Sequence, residues 1–302
     1  MGQAYPEKPI KLIVPYPTGG SVDAMARLVA QSLSSRLGQT IIENRPGGGA
    51  SIGARSVALA TPDGYTLLFG SAGSLCVIAT LYSNLGYDPL TAFTPVATVS
   101  VLPPVFVVGP SVPATSIAEF VAYAKANPGK LNYGSALGAP PHLSGALFKV
   151  KAGIDVVYIP YKGAAQSVTD LLGGQTHFTI DSLTSLYPLI KDGRVKALAV
   201  ASTTRWPELP DVPTLIESGY PDFTLDAWTG VVAPAGTPPD IVNKLNAAIN
   251  EGLRSPELQT SLINMSALPK IGSPEDFAAF LAAEMPKWAA IVKLSGAKID
   301  GG

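Results

Sequence analysis

The groups in this chain that could do chemistry are hydroxyls and glycine-flanked amides rather than nucleophiles or metal ligands. Tyr16, Thr18 and Ser21 stand around Pro17, Gly19 and Gly20, with Asp23 just beyond. The prolines and glycines cannot continue the apolar run over residues 10–14, so they form a loop. Val22, Met25, Ala26, Val29, Leu33 and Leu37 then recur at helical spacing, with Ser21 placed to cap the helix and Gly38 to end it. A strand, a glycine turn and a helix start leave free N–H groups at the positive end of a helix dipole. That arrangement captures a carboxylate or a phosphate. Close approach of such a loop to a ligand calls for a positive φ at Gly19 or Gly20.

The pattern is echoed past the middle of the chain. Residues 154–159 read as a buried strand, followed by Pro160-Tyr161-Lys162-Gly163-Ala164 and a helix ending near Leu172. A second pair of strand ends opens onto small residues, Gly70-Ser71-Ala72-Gly73 and Gly134-Ser135-Ala136-Leu137-Gly138. Two similar α/β halves predict one ligand held between two domains, at the carboxyl ends of strands.

Other chemistries lack their residues. The two histidines, His142 and His177, come without a Cys-x-x-Cys or His-Glu-x-x-His, so no metal and no cofactor is expected. Gly70-Ser71-Ala72-Gly73 has the wrong order for a nucleophile elbow. The glycines at 47–49 lack the Gly-Lys-Ser/Thr ending of a phosphate loop, and Ile52 stands where a dinucleotide fingerprint needs a small residue. Asp23 and Asp181 fall at junctions between loop and helix, where an aspartate ordinarily ties down loop amides.

The elements that position these groups are those of an α/β protein. The chain has 302 residues, enough for two domains, and 47% are hydrophobic against 14% charged. A formal net charge of −1 supplies no field for nucleic acid, and no apolar run reaches the length of a membrane span. The lone Cys76 forbids an internal disulfide. Met1-Gly2 before Gln3-Ala4-Tyr5-Pro6 reads as an expression start joined to a mature N-terminus, so a removed signal peptide would leave no trace. Valine- and proline-rich segments over 93–108 and 223–232 read as extended crossings between domains. They divide the chain into 1–100 and 226–302 as one domain and 101–225 as the other. Pro239 and Ser273-Pro274-Glu275 open the last long helices.

A set of short blocks in fixed order resembles one family. Residues 14–23, Val-Pro-Tyr-Pro-Thr-Gly-Gly-Ser-Val-Asp, resemble the first signature of the Bug receptors, the extracytoplasmic solute-binding proteins of tripartite tricarboxylate transporters. Glu43-Asn44-Arg45-Pro46-Gly47, Thr61-Pro62-Asp63-Gly64-Tyr65, Leu85-Gly86-Tyr87-Asp88-Pro89 and Ala126-Asn127-Pro128-Gly129 continue it. Pro160-Tyr161-Lys162-Gly163, Asp170-Leu171-Leu172-Gly173-Gly174-Gln175, Leu209-Pro210-Asp211-Val212-Pro213-Thr214 and Ala233-Pro234-Ala235-Gly236-Thr237-Pro238 complete it. The resemblance implies a Venus-flytrap periplasmic binding fold, type II-like, of two α/β domains with two crossing strands. It implies a monomeric periplasmic receptor that binds a small carboxylate and hands it transiently to membrane transporter subunits, without catalysis. It also implies a ligand set of Tyr16, Pro17, Thr18, Gly19, Gly20, Ser21, Ser71, Ala72, Ser135, His142, Tyr161, Lys162, Gly163, Ala164 and Asp181. A sensory adaptor, or an enzyme on the same fold, remains the alternative. One departure stands out: Ala139-Pro140-Pro141 precedes His142 where relatives often carry serine or threonine. The loss of hydroxyl and N–H donors there suits a dicarboxylate with a longer aliphatic or aromatic body.

Overall fold

A computed structural model describes residues 5–82, 84–137, 139–161 and 164–296. By its internal contacts the chain divides into two units, residues 5–101 with 228–290, and residues 102–227 with 291–296.

The first unit begins with β1 (Ile10–Val14), α1 (Ser21–Arg36), β2 (Thr40–Asn44), α2 (Ser51–Ala58), β3 (Thr66–Ser71), α3 (Ile78–Leu81) and β4 (Phe93–Leu102). Ile10, Leu12, Ile13 and Val14 are buried, the signature of a parallel strand covered on both faces. The second unit holds β5 (Pro104–Val108), α4 (Ile117–Ala126), β6 (Leu131–Ala136), α5 (Pro140–Ala152), β7 (Val156–Tyr161), α6 (Ala164–Leu172), β8 (Phe178–Ser182), α7 (Leu183–Lys191) and β9 (Lys196–Val200). Back in the first unit come β10 (Ala227–Pro234), α8 (Pro239–Leu253), α9 (Pro256–Asn264), β11 (Leu268–Pro269) and α10 (Pro274–Ser295).

The first sheet runs β11-β4-β10-β3-β1-β2 and the second β7-β6-β8-β5-β9. β1 lies parallel to β2 and β3, and β3 antiparallel to β10. β6 lies parallel to β7 and β8, and β8 antiparallel to β5. The βαβαβ unit β1-α1-β2-α2-β3 therefore recurs as β6-α5-β7-α6-β8. This corrects the pairing drawn from the sequence echo. β7 occupies the place of β2, not β1, and β6 the place of β1, not β3. The echoed Pro-Tyr steps are two strand ends with similar punctuation, not two copies of one strand.

Each unit has its own aromatic core. In the second, Phe106 stacks on Phe178 at 5.3 Å between centroids, with Phe120 and Phe148 edge-on to Phe106 at 5.0 and 4.8 Å. In the first, the buried Glu284 carboxylate accepts the indole N–H of Trp228 at 3.0 Å and of Trp288 at 2.8 Å, and pairs with Lys287. These partners offset the cost of burying a charge.

Several boundaries differ from the sequence reading. Ser21 is the first helical residue of α1, and Gly20 is its N-cap without a side-chain bond. Asp181 stands where a helix begins, as expected, but the junction is from strand to helix: it is the last residue of β8 but one, just before Ser182, the N-cap of α7. The second crossing strand starts at Ala227, not Phe223. Pro140 and Pro141 form the first turn of α5, where proline needs no N–H acceptor. Ser273 does cap α10: it accepts from Asp276 N–H at 3.0 Å, and Asp276 returns the bond at 2.8 Å.

Candidate functional site

In the first unit the loop after β1 is built around Asp23. This buried carboxylate accepts from Gly19 N–H at 2.9 Å, Arg27 Nε at 2.9 Å and Asn44 Nδ2 at 2.8 Å. Asn44 also donates to the Tyr16 carbonyl at 3.1 Å. Burial pushes the Asp23 pKa up, but the bonds from Arg27, Gly19 and Asn44 outweigh it and hold the group below the usual carboxylate range. Asp23 thus pins the loop at both ends. Gly19 sits at φ +91° to allow this, while Gly20 is extended at φ −77°, ψ 167°.

The pinning decides which amides remain for a ligand. Gly19 N–H is committed to Asp23. The first backbone bond of α1 is Ala24 N–H to the Gly20 carbonyl. The N–H groups of Gly20, Ser21, Val22 and Asp23 lie ahead of it at the positive end of a 16-residue helix, with no acceptor among the described residues. Pro17, Thr18, Gly19, Gly20 and Ser21 are exposed.

The end of β3 meets this loop. Tyr16 Oη and Ser71 Oγ are 2.6 Å apart. Ser74, in the π-helical turn Gly73–Val77, accepts from Ser71 N–H at 2.9 Å and so orients it. Burial raises the Tyr16 pKa against its hydrogen bonds to Ser71 and Ser74, which keeps the phenol neutral. A pair of hydroxyls sharing one bond has one O–H left to donate. Ala72 is buried beside it. Gly73 is kept small, since a Cβ there would stand 3.0 Å from Tyr16 Oη.

In the second unit, parallel β6, β7 and β8 bring Ser135, Tyr161 and Asp181 to the carboxyl end of one sheet. The Ser135 carbonyl accepts from Tyr158 Oη at 2.8 Å, and Tyr158 stacks on buried His142 at 4.0 Å between centroids. Burial lowers the His142 pKa and keeps the imidazole neutral. Tyr161 donates its hydroxyl to Asp170 at 2.6 Å, with its pKa pushed up to about 12 by burial and by that carboxylate. Its ring lies over Gly134, where a Cβ would stand 2.2 Å from the ring edge. Ser167 Oγ donates to the Gly134 carbonyl at 2.6 Å. Asp181 accepts from Ser182 N–H at 2.6 Å, and burial pushes its pKa up to about 6. Lys162 and Gly163 lie outside the described residues, as does the side chain of Ala164.

Sequence reasoning did not single out Asn44, Ser74, Tyr158, Ser167 or Asp170, which hold the others in place. Asn44 and Asp170 stand within the recurring blocks, which was their available signal. Ser74, Tyr158 and Ser167 carry none. Among the described residues no cluster of three or more His, Cys, Asp or Glu could hold a metal. Cys76 is buried, and burial raises its thiol pKa, so it is no nucleophile at neutral pH. No helix among these residues is long and apolar enough to cross a membrane.

Known proteins share this architecture. The profile of the tripartite tricarboxylate transporter family receptors, TctC, matches residues 25–297. Protein BugT of Bordetella pertussis is 39% identical over 298 residues, covering 98% of this chain and 91% of that protein. Among solved structures, R. palustris Rpa4515 with adipate superposes with a TM-score of 0.84 at 39% identity, covering 97% of this chain and 98% of that one. The periplasmic binding protein BugD gives 0.80 at 37% identity, covering 98% and 100%. MatC (Rpa3494) from Rhodopseudomonas palustris with bound malate gives 0.80 at 33%, covering 95% and 100%. With its two α/β units and matches that run nearly end to end, the chain belongs to the tripartite tricarboxylate transporter family receptors, the Bug proteins among them.

Proposed function

We propose that this protein is a periplasmic receptor that binds a small dicarboxylate without transforming it and passes it to the membrane subunits of a tripartite tricarboxylate transporter. The observation that carries this reading is the start of α1. Four N–H groups without acceptors among the described residues stand at a helix N-terminus whose loop the Asp23 carboxylate pins. They lie in the same loop as Tyr16, whose hydroxyl pairs with Ser71. One ligand carboxylate would sit there, on Gly20, Ser21 and the Tyr16–Ser71 pair, with Pro17, Thr18, Gly19 and Ala72 shaping the loops. Ser135, His142, Tyr161, Asp181 and the 162–164 loop complete the ligand set by the family's pattern. Tyr161 has spent its hydroxyl hydrogen on Asp170, so it would contribute ring and backbone rather than a donor.

The comparison of α1 with α5 favours a longer acid. The two helices hold equivalent places in their βαβαβ units, yet Pro140 and Pro141 remove two N–H groups from the start of α5. The start of α5 thus offers a carboxylate fewer amides than the start of α1. Adipate and malate, the acids named with two similar structures, are the natural starting points for a screen. Titration calorimetry against acids from malate to adipate and longer, with product analysis after prolonged incubation, tests the reading. Saturable binding with the acid recovered unchanged is expected. Catalytic conversion that is lost on mutating Tyr16 or Ser71 would refute it.

A further inference from the structure

The second unit carries a cavity of about 400 Å³ at the end of its sheet away from the ligand loops. Val108 pairs with Phe178 and Lys196 with Val108, whereas Pro104 pairs with Ser182 at the other end. The length of β8, at ~3.3 Å per residue, therefore separates the cavity's end of the strand from Asp181 by about 10 Å and from Ser182 by about 13 Å. Val112, Ile190, Val195 and Val212 form its apolar wall, and Arg194 and Lys196 stand on its rim. Both cations are exposed. Among the described residues, the Arg194 guanidinium makes no ion pair and no hydrogen bond. Lys196 reaches only the Ala114 carbonyl, at 3.4 Å. Glu119 attracts Lys196, but its carboxylate is held by the N–H and hydroxyl of Thr115, each at 2.7 Å. Asp192 and Asp211 adjoin the cavity in sequence but do not line it.

Apolar walls with two under-used cations at the mouth match an amphipathic anion. The volume lies within the range of small-molecule sites. We infer that this cavity is a second, independent site for a small carboxylic acid, with its carboxylate on Arg194 and Lys196 and its hydrocarbon body against Val112, Ile190, Val195 and Val212. The site shares no residue with the proposed transport site, so the two readings stand or fall separately.

Hexanoate is the probe, with hexanamide as its uncharged counterpart, titrated into the 15N-labelled full chain. The amides of Gly109 and Gly193 report the cavity, and those of Gly20 and Ser71 report the ligand loops. The expected result is a saturable shift at Gly109 and Gly193 in the millimolar range. Hexanamide should be weaker by about tenfold, and Arg194→Gln with Lys196→Gln should weaken hexanoate by about tenfold or more while leaving the Gly20 response unchanged. Three results would overturn the inference: no saturable shift at Gly109 and Gly193, equal responses to hexanoate and hexanamide in the native chain, or a midpoint unchanged in the double variant. The last would mean that the two cations only complement the carbonyl end of α7.

Discussion

Replacing Gly19 with alanine tests the anion grip directly. Gly19 sits at φ +91°, and nothing lies within 4 Å of where its Cβ would stand, so the substitution meets no clash. Its cost is conformational, about 1–3 kcal/mol for a side chain held in that region. The loop can relieve the strain by rotating the peptide. Doing so frees Gly19 N–H from Asp23 and turns the N–H groups of Gly20 and Ser21 away from their common target. The variant can still return to the binding conformation by taking on that strain, so the two amide bonds are kept at a cost of about 1–3 kcal/mol and affinity falls by about 5- to 150-fold. The matched control is Gly20→Ala. Gly20 is already extended, and its Cβ would meet only the Pro17 carbonyl, at 3.8 Å. Titration calorimetry with the best acid from the screen should show the loss for Gly19→Ala and affinity within about threefold of the parent for Gly20→Ala, the range of ordinary surface changes. If Gly19→Ala binds as the parent does, the α1 amides are not the grip and the carboxylate has been placed wrongly.

Three further outcomes follow from the same geometry. Tyr16→Phe and Ser71→Ala should each weaken affinity by about three- to tenfold, and the double variant little further, because the two hydroxyls act as one donor pair; full additivity in calorimetry would sever them. Asp181 has a folded pKa of about 6 against an ordinary 3.8, so folding costs more as pH rises from about 4 to 6. The cost reaches at most about 3 kcal/mol above that window and vanishes below it. Asp181→Asn should therefore raise Tm at pH 8 and leave it near the parent value at pH 4, and a thermal shift of the same size at both would contradict this. Restoring donors with Pro140→Ser and Pro141→Thr should improve malate relative to adipate, and an unchanged ratio of Kd values would show that the start of α5 does not set ligand length.

What the sequence revealed was mostly local. The loop after β1 was legible because strand, glycine turn and helix each leave a mark within a few residues of one another. The cap at Ser273 was legible for the same reason. The supports of the site were not: Asn44 reaches Tyr16 and Asp23 across 28 and 21 residues of chain, and Tyr158 reaches the Ser135 carbonyl across 23. Such bonds depend on which strands become neighbours, and no short spacing encodes that. Even the role of Gly19 was half visible. Its need for positive φ could be foreseen, but not that its own N–H would be spent on Asp23, leaving only the amides that follow without an acceptor.

The misread echo shows the same limit and has a functional consequence. A Pro-Tyr step after an apolar run marks the end of a buried strand, and any parallel sheet has several such ends. Likeness at that level cannot say which strand of one unit answers which strand of the other. Hydrogen-bonded order does, and it sets α1 against α5 rather than against α6. α1 starts at Ser21, preceded by two glycines, and α5 starts with two prolines. Glycine leaves every amide of the first turn in place, and proline removes its own. A fold that repeats its scaffold thus keeps its amide donors at the start of one helix and lacks two of them at the start of the equivalent one. Under the proposed reading, an anion therefore finds a better-equipped helix start on the first unit than on the second.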